Sequence, residues 1–311
     1  MPRNLDSAAR SGDAEVLELP RRPLKAISLD DYLAREFPPR DNLLTPWLPS
    51  QGIAMVFAPR GVGKTHFALG VAYAVASGAS FLRWSANKAA RVLFIDGEMP
   101  AGTLHSRLTA ILQAATCAPP PGHFHLLPYD LIRDGTPDLA TDEGQRAIEP
   151  LLANIDLIVV DNISTTCSGK ENEAEGWAAI QSWALTQRRN QRSVLFVHHA
   201  GKGGEQRGTS KREDIMDTVI RLSHPDDYEM EDGARFVVSF TKARGLLGAD
   251  VAPFEARLSD GVWACCDAED AHVSVVKEML AEGKSIREIG KEVGLSKSKV
   301  ARIKARLETD Q

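Results

Sequence analysis

The sequence predicts an α/β protein with a mostly parallel sheet covered by helices on both faces, followed by a small all-α domain. Three observations predict it. Short apolar runs alternate with segments of helical periodicity from residue 53 to about residue 250. The runs are nearly continuous in Val, Ile, Leu and Phe, which is typical of parallel strands buried on both faces. Beyond residue 267 the patterns are helical only.

The elements follow in a regular order. We predict strands at "IAMVFA" (53–58), "ARVLFID" (90–96), "FHLLP", "DLIVVD" (156–161) and "SVLFVHH" (193–199). Helices are predicted between them, at "GKTHFALGVAYAVASG", "PAGTLHSRLTAILQAA" (100–115), "DEGQRAIEPLLANI" and "EAEGWAAIQSWALTQRRN". The segments "DIMDTVIRLSH" and "ARFVVSFTKARG" close the core. The chain is thus expected to comprise a flexible N-terminal arm (1–40), an α/β core (41–266) and a helical domain (267–311).

Composition excludes several classes of protein. With 43% apolar and 25% charged residues, the chain reads as an ordinary globular protein. No stretch approaches eighteen uninterrupted apolar residues, and the N-terminus lacks a signal-peptide core, so we expect no membrane contact and a cytoplasmic location. The four cysteines show no C-x-x-C spacing, which argues against a zinc knuckle or a disulfide framework.

The run "FAPRGVGKTH" predicts a phosphate-binding loop. It lies between a strand and a helix, the context that such a loop requires. Gly61 and Gly63 allow a tight curl, so backbone N–H groups and the helix N-terminus face the phosphates. Lys64 would meet the β and γ phosphates of ATP. The predicted nucleotide-binding residues are Ala58, Pro59, Arg60, Gly61, Val62, Gly63, Lys64, Thr65, His66 and Asp161.

Ala58 stands where the usual loop pattern begins with glycine. It occupies the hinge between strand and loop rather than the cradle itself, so a methyl group is acceptable if its φ stays negative. We therefore interpret the departure as compatible with nucleotide binding.

Two carboxylates complete the predicted ATP site. Asp161 ends a buried strand, and with the hydroxyl of Thr65 it would hold Mg²⁺. Glu98 lies just beyond another strand, in "VLFIDGEMP", and is our candidate for orienting the attacking water. Asp96 is expected to play a structural part. The alternative is that "DGE" forms only a turn.

These pieces, in this order, resemble the RecA-like superfamily, and more closely the RepA-type hexameric replicative helicases of plasmids. The resemblance is carried by "APRGVGKT", "VLFIDGEMP" with Arg107 in the next helix, "LIVVDN", "VLFVHHAGK", "QRGTSKRED" and "FTKARG". It implies a RecA-like ATPase core over residues 41–266 and a ring of subunits, a hexamer as in that family. It also implies that His199 senses the γ phosphate, although one core and one solvated histidine would give the same "HH".

The resemblance further implies that an arginine reaches the nucleotide of a neighbouring subunit. Arg207 matches the arginine finger, and Lys242 with Arg244 match a K-x-R pair of similar role; the sequence does not rank them. The loop over 200–212 is also a candidate for contacting single-stranded DNA through Lys202, Lys211 and Arg212. The same loop is thus a candidate both for contacting DNA and for reaching a neighbour's nucleotide, and the sequence does not decide between these two roles.

The C-terminal domain resembles a helix-turn-helix. Residues 272–311 carry 9 Lys or Arg against 6 Asp or Glu, whereas residues 1–271 carry 28 against 36. The last helix would expose Lys297, Ser298, Lys299, Arg302 and Arg306 to duplex DNA. The alternative is a helical bundle that docks a protein or caps an oligomer.

We therefore expect an ATP- and Mg²⁺-dependent DNA helicase or translocase that acts as a ring in plasmid, phage or mobile-element replication. Two alternatives remain. One is an ATP-switched DNA-binding regulator or loader without unwinding activity, and the other is a RecA-like recombination or repair ATPase.

Overall fold

The protein is described by a computed structural model that covers residues 25–37, 40–167, 174–200, 213–267, 270–293, 295 and 297–309. The chain divides into two units at Pro39 and Arg40. In the first unit, Leu29–Leu33 forms a short helix, α1. The Ser28 hydroxyl accepts a hydrogen bond from the Asp31 amide at 3.1 Å and thereby caps the N-terminus of this helix.

The second unit contains one large sheet flanked by helices. Its strands are β1 (Asn42–Leu44), β2 (Leu48–Pro49), β3 (Ile53–Ala58), β4 (Ser80–Phe81), β5 (Trp84–Ser85), β6 (Val92–Asp96), β7 (Phe124–Pro128), β8 (Leu157–Asp161), β9 (Ser193–His199), β10 (Thr218–Ser223), β11 (Arg235–Ala243), β12 (Phe254–Ser259) and β13 (Val262–Asp267). Its helices are α2 (Lys64–Ser77), α3 (Ala101–Ala114), α4 (Asp142–Ile148), α5 (Ile163–Thr166), α6 (Ala174–Arg189), α7 (Asp270–Ala281), α8 (Ile286–Glu292) and α9 (Lys297–Thr309).

The large sheet has the strand order β13-β12-β11-β10-β3-β9-β8-β6-β7. From β10 to β7 every neighbouring pair is parallel, and β10, β11, β12 and β13 pair antiparallel in succession. The predicted fold class, a mostly parallel sheet with helices on both faces, is confirmed. The order places β3 between β10 and β9, so loops from several strands meet at the carboxyl ends of β3, β9, β8 and β6.

The burial of the central strands explains their composition. Every residue of β3, β6, β8 and β9 is buried. Two hydrophobic clusters cover the sheet: one includes Phe67 of α2, and the other includes Trp177 and Trp183 of α6. These two tryptophans and Ile180 are buried together, as the periodicity of this helix predicts.

The helical tail has a hydrophobic cluster of its own, formed by Val276, Met279, Ile289, Leu295, Val300 and Ile303. The Ser285 hydroxyl and the Glu288 carboxylate exchange hydrogen bonds with each other's backbone amides at the start of α8. This arrangement is a capping box, which satisfies two backbone N–H groups at the helix start. Within the ranges described, we find no helix that has both the length and the apolar character needed to cross a bilayer.

Candidate functional site

The loop after β3 has the shape that phosphate binding requires. Gly61 and Gly63 have φ angles of +84° and +110°, which residues with a side chain rarely adopt. A Cβ on Gly63 would also lie 3.3 Å from the ring of Phe236 on β11. Helix α2 begins at the next residue, Lys64, so its unpaired N–H groups and the positive end of its dipole face the loop.

A cavity of about 660 Å³ opens beside this loop. It lies at the carboxyl ends of the central strands, because Asp96, Asp161 and His199 end β6, β8 and β9. The cavity brings together these sequence-predicted residues: Arg60, Gly61, Gly63, Lys64, Thr65, His66, Glu98, Asp161 and His199. Of the remaining predicted loop residues, Ala58 and Val62 are fully buried in the hydrophobic core, and Ala58 is the last residue of β3.

Lys64 is a buried cation inside the cavity. Its Nζ donates a hydrogen bond to the Pro59 carbonyl oxygen at 3.0 Å. Burial lowers its pKa, and the nearby carboxylates of Asp161 and Glu98 oppose that shift. The charge of Arg60 adds a smaller lowering effect. The ammonium group thus lies at the mouth of the loop, where an anionic phosphate is a stronger partner than a carbonyl.

Asp161 and Thr65 fit the demands of a magnesium site. Burial raises the pKa of Asp161 to about 7, and a hydrogen bond from the Thr65 side chain opposes this shift. Asp161 Oδ2 is buried and has no hydrogen-bond partner among the described residues. A divalent cation would satisfy this oxygen and hold Asp161 ionised. Among all the residues that the structure describes, no group of three or more His, Cys, Asp or Glu could bind a metal. This agrees with a magnesium site, because Mg²⁺ commonly binds only one or two carboxylates together with phosphates.

Glu98 is connected to His199 through Asn162, a residue that was not among the predicted site residues. The Asn162 amide group donates to Glu98 Oε2 and lies 3.4 Å from His199 Nε2, and His199 Nε2 is 3.7 Å from the same carboxylate oxygen. Asn162 is fully buried, whereas the Glu98 side chain is 58% exposed. The exposed carboxylate can thus reach a water molecule while a buried amide fixes its position.

Asp96 shapes the turn that presents Glu98. Its Oδ1 accepts hydrogen bonds from the amides of Glu98 at 2.9 Å and Met99 at 2.8 Å. The Gly97 amide also donates to the Asp161 carbonyl oxygen at 2.8 Å, which ties this turn to β8. The geometry agrees with the structural part expected for Asp96.

The connection between β10 and β11 supplies another wall of the cavity, through Tyr228, Gly233 and Ala234. The sequence gives no local signal for these residues, because they lie more than sixty residues beyond Asp161 and form no recognisable motif. His66 also lines the cavity, and burial, with a smaller contribution from Arg107, lowers the pKa of its imidazole to about 4. His66 is therefore uncharged near neutral pH.

A family model described as "AAA domain" matches residues 18–205, which include the phosphate loop, Glu98, Asp161 and His199. The chain belongs to the AAA domain family. The match covers more than half of the chain, and it supports nucleotide binding and hydrolysis at this cavity.

The AAA domain also has a solved structural relative. The crystal structure of a KaiC-like protein from the hyperthermophilic archaeon Pyrococcus horikoshii OT3 superposes with a TM-score of 0.52 at 17% sequence identity. The match covers 73% of this chain and 94% of the archaeal chain. At this identity the likeness concerns the fold. Together with the family match, it identifies a RecA-like P-loop ATPase core.

Two of the predicted inter-subunit residues, Lys242 and Arg244, are not among the described residues that line this cavity. Lys242 donates to the Glu213 carbonyl oxygen, and Arg244 Nη2 donates to the Asp214 carbonyl oxygen at 2.8 Å. Burial and the charge of Arg244 lower the pKa of Lys242. Arg207, Lys202, Lys211 and Arg212 lie outside the described residues.

The candidate DNA contacts of the tail lie on α9. Lys297, Ser298 and Arg302 are exposed there. Lys299 and Arg306 belong to the same helix, but their side chains lie outside the described part. The prediction that these five residues bind DNA stays a prediction.

Proposed function

We propose that this chain is an ATP-hydrolysing DNA helicase or translocase of the RepA type that works as a ring, with six subunits as the expected number. Its expected setting is the replication of a plasmid, phage or mobile element. The proposal combines the P-loop ATPase core with the ordered set of motifs that resembles the RepA-type helicases.

The observation that carries the proposal is the contact series from Glu98 through Asn162 to His199. Glu98 faces the cavity where the γ phosphate would lie, and His199 is the last residue of β9. The segment after β9, residues 200–212, is the predicted DNA-contacting loop. A side chain that touches the hydrolytic carboxylate at the base of this loop offers a direct route from hydrolysis to DNA movement.

Within one subunit, different residues bind the phosphates, orient the attacking water and hold the metal ion. The loop amides and Lys64 bind the phosphates, and Glu98, held by Asn162, orients the water molecule that attacks the γ phosphorus. Mg²⁺ held near Thr65 and Asp161 would neutralise charge on the phosphate oxygens. An arginine from the adjacent subunit, Arg207 or Arg244, completes the stabilisation of the transition state.

The shared site is tested by mixing inactive variants. Lys64→Ala and Arg207→Ala should each lose turnover, and a mixture should recover part of it, because some interfaces then combine an intact Lys64 with an intact Arg207. The same experiment with Arg244→Ala compares the two arginines, and Arg133→Ala, an exposed arginine away from the cavity, is the control. Absence of recovery with both arginine variants would remove the support for a shared site.

The motor function is tested by strand displacement on a forked duplex. The wild type should separate the strands with ATP and Mg²⁺, and single-stranded DNA should stimulate turnover. Glu98→Gln should bind the fork without opening it. Turnover without any strand displacement or DNA stimulation would contradict a helicase while leaving the ATPase intact.

A second candidate function is favoured by the tail. A helical cluster with the exposed residues Lys297, Ser298 and Arg302 on its last helix suits a nucleotide-switched regulator or loader that binds duplex DNA. Binding to one duplex sequence that depends on the tail and on ATP, without unwinding, would favour this function over the motor.

A further inference from the structure

The connection between β10 and β11, residues 224–234, separates two cavities. Tyr228 lines the nucleotide cavity, whereas Asp226 and Asp227 line a groove of about 610 Å³ against the C-terminal helices α7 and α8. The core and these helices belong to one compact unit, Arg40–Gln311. Because Asp227 and Tyr228 are neighbours in the chain, a shift of the connection at one cavity also changes the other. None of the roles proposed above uses this connection.

The connection is braced from within. Arg235, the first residue of β11, donates a hydrogen bond to Asp227 at 3.0 Å and another to Asp232 at 2.9 Å. Charge-assisted hydrogen bonds of this kind are stronger than neutral ones. The Tyr228 ring stacks on His224, with 3.5 Å between the ring centroids. The two ends of the connection are thereby tied to its middle, so we expect it to move as one body.

The contact between the connection and the tail has no comparable bond. Among the described residues, no hydrogen bond or ion pair joins Asp226 or Asp227 to α7 or α8. Lys284 faces the groove, but it pairs with carboxylates of the tail itself, Glu282 at 3.4 Å and Glu292 at 2.9 Å. The charged side chains that line the groove are Asp226, Asp227, Glu278, Glu282, Lys284, Lys291 and Glu292. Carboxylates therefore predominate, and those of the connection and the tail repel each other across the groove.

The end of the connection meets the phosphate loop. The Cβ atom of Ala234 lies 3.9 Å from the position that a Cβ on Gly63 would take. Residues 224–234 include five Asp or Glu and no Lys or Arg. Arg235 and Arg257 pair with two of these carboxylates. Within the described residues, no ion pair is made by the other three, Asp226, Glu229 and Glu231. A triphosphate in the loop would therefore lie beside a segment of like charge.

We propose that nucleotide binding loosens the packing of the C-terminal helices through this connection. The inference rests on the proposed ATP binding and adds a form of regulation to it. The phosphates repel the acidic connection, which shifts as one body and carries Asp226 and Asp227 towards the carboxylates of α7 and α8. Because binding free energies are reciprocal, a partner that holds these helices in place lowers the affinity for ATP by the same factor. Occupancy of the cavity thus controls how firmly the tail is held.

Hydrogen–deuterium exchange of the full-length chain, with and without saturating Mg·ATP, tests the proposal. In the wild type, ATP should accelerate amide exchange in α7 and α8 about 5-fold or more, the lower end of ordinary coupling between two sites. Mg·ADP, which carries less negative charge, should accelerate it less. Helix α4, none of whose residues lines either cavity, should exchange at the same rate in all conditions.

Two single variants should change this response in opposite directions. Asp226→Asn removes a carboxylate from the groove and should reduce the acceleration about twofold or more. Lys291→Glu adds a carboxylate on α8, so it should increase the acceleration and weaken ATP binding. Neither side chain has a hydrogen bond or ion pair among the described residues, so both variants should fold, which the melting temperature without nucleotide checks. Asp134→Asn, at an exposed aspartate outside both cavities, is the matched control.

The outcomes that would overturn the proposal are distinct. If ATP binds and leaves exchange in α7 and α8 unchanged, or slows it, the tail is not loosened. If both variants respond as the wild type does, the effect does not pass through the groove. If the acceleration grows with protein concentration, it comes from contacts between subunits. Each of these results overturns the proposal while ATP binding stands. Calorimetry on the same protein separates them from a failure of the wild type to bind Mg·ATP, which would remove the proposed function itself.

Discussion

The nucleotide cavity and the C-terminal helices handle charge in opposite ways. In the cavity, Lys64, Asp96 and Asp161 are buried. Burial lowers the pKa of Lys64 and raises the pKa of both aspartates, so it favours the neutral form of each side chain. In the tail, the charged side chains of Lys297 and Arg302 are exposed, and the buried residues are apolar. The first arrangement costs free energy of folding, and the second costs almost none.

This difference teaches how much each region says about function. A protein keeps buried, unfavourably placed charges where a ligand needs them, so the cavity points to phosphate and a cation. Exposed lysine and arginine are favourable on any surface, so the tail is equally compatible with DNA and with solvent. The predictions below test this contrast, beginning with the largest expected effect.

The largest effect is expected for Lys64→Ala. Turnover should fall by about 10³-fold or more, because the phosphate loses its principal cation. The melting temperature without nucleotide should hold or rise, since a buried charge is removed. Lys88→Ala, which breaks only the exposed pair with Asp41, should change neither quantity. Turnover of Lys64→Ala within tenfold of the wild type would contradict the assignment of the cavity.

The next effect concerns Glu98. Glu98→Gln should lower kcat by about 10²- to 10⁴-fold, because the amide cannot orient and polarise water as the carboxylate does. The Kd for Mg·ATP, measured by calorimetry, should stay within a few-fold of the wild type. Asn162→Ala should give a smaller loss of kcat with the same Kd, because Glu98 keeps its charge but loses its fixed position. A kcat unchanged in both variants would place the hydrolytic residue elsewhere.

A moderate effect is expected in the tail. The double variant Lys297→Glu with Arg302→Glu should weaken duplex DNA binding at least tenfold and flatten its salt dependence, because two phosphate contacts are lost. The basal ATPase should be unchanged. Fluorescence anisotropy at several salt concentrations measures the change. If affinity and salt dependence match the wild type, the tail instead serves a protein contact.

The smallest effect is a pH dependence. The pKa of His66 is about 4 in the folded chain against an ordinary 6.5, so the unfolded chain takes up a proton that the folded chain does not. Stability is therefore lost as pH falls from about 6.5 towards 4. His66→Gln should remove about 1–2 kcal/mol of this loss in the free energy of unfolding. The value is smaller than the full pKa shift implies, because His66 is partly exposed to solvent. Melting temperatures at pH 7, 6 and 5 measure it, with the exposed His105→Gln as control. Parallel curves for variant and wild type would contradict the burial of His66.

The sequence predicted the parallel part of the sheet because its strands are buried on both faces. A continuous apolar run such as 157–160 has few other interpretations between two helices. The strands β12 and β13, at the antiparallel edge of the sheet, were not predicted, because they lack such a continuous run of buried apolar residues. Only the first three residues of β12 are buried, and one of them is the charged Glu255. No residue of β13 is buried, and this strand ends at the charged residue Asp267. The two-residue strands β2, β4 and β5 are too short for any period.

The site was predictable where function imposes a local spacing, and not where it depends on folding. Gly61, Gly63, Lys64 and Thr65 must be neighbours to surround a phosphate, so they form a motif. Asn162 has a weaker signal, as the polar residue directly after Asp161. Tyr228 and Ala234 reach the cavity only because β10 lies beside β3 in the sheet. The sequence around Tyr228 and Ala234 does not indicate which strand lies beside β10 in the sheet.

The position of the Phe236 ring, close to where a Cβ on Gly63 would lie, has a consequence for mutational surveys. The curvature of the phosphate loop is limited by an aromatic ring contributed from 173 positions further along the chain. Enlarging or removing that ring would alter how the loop closes on its substrate without any change in the atoms that touch it. Substitutions on β11 that impair nucleotide use would then act through the conformation of the loop, without a direct contact to the nucleotide.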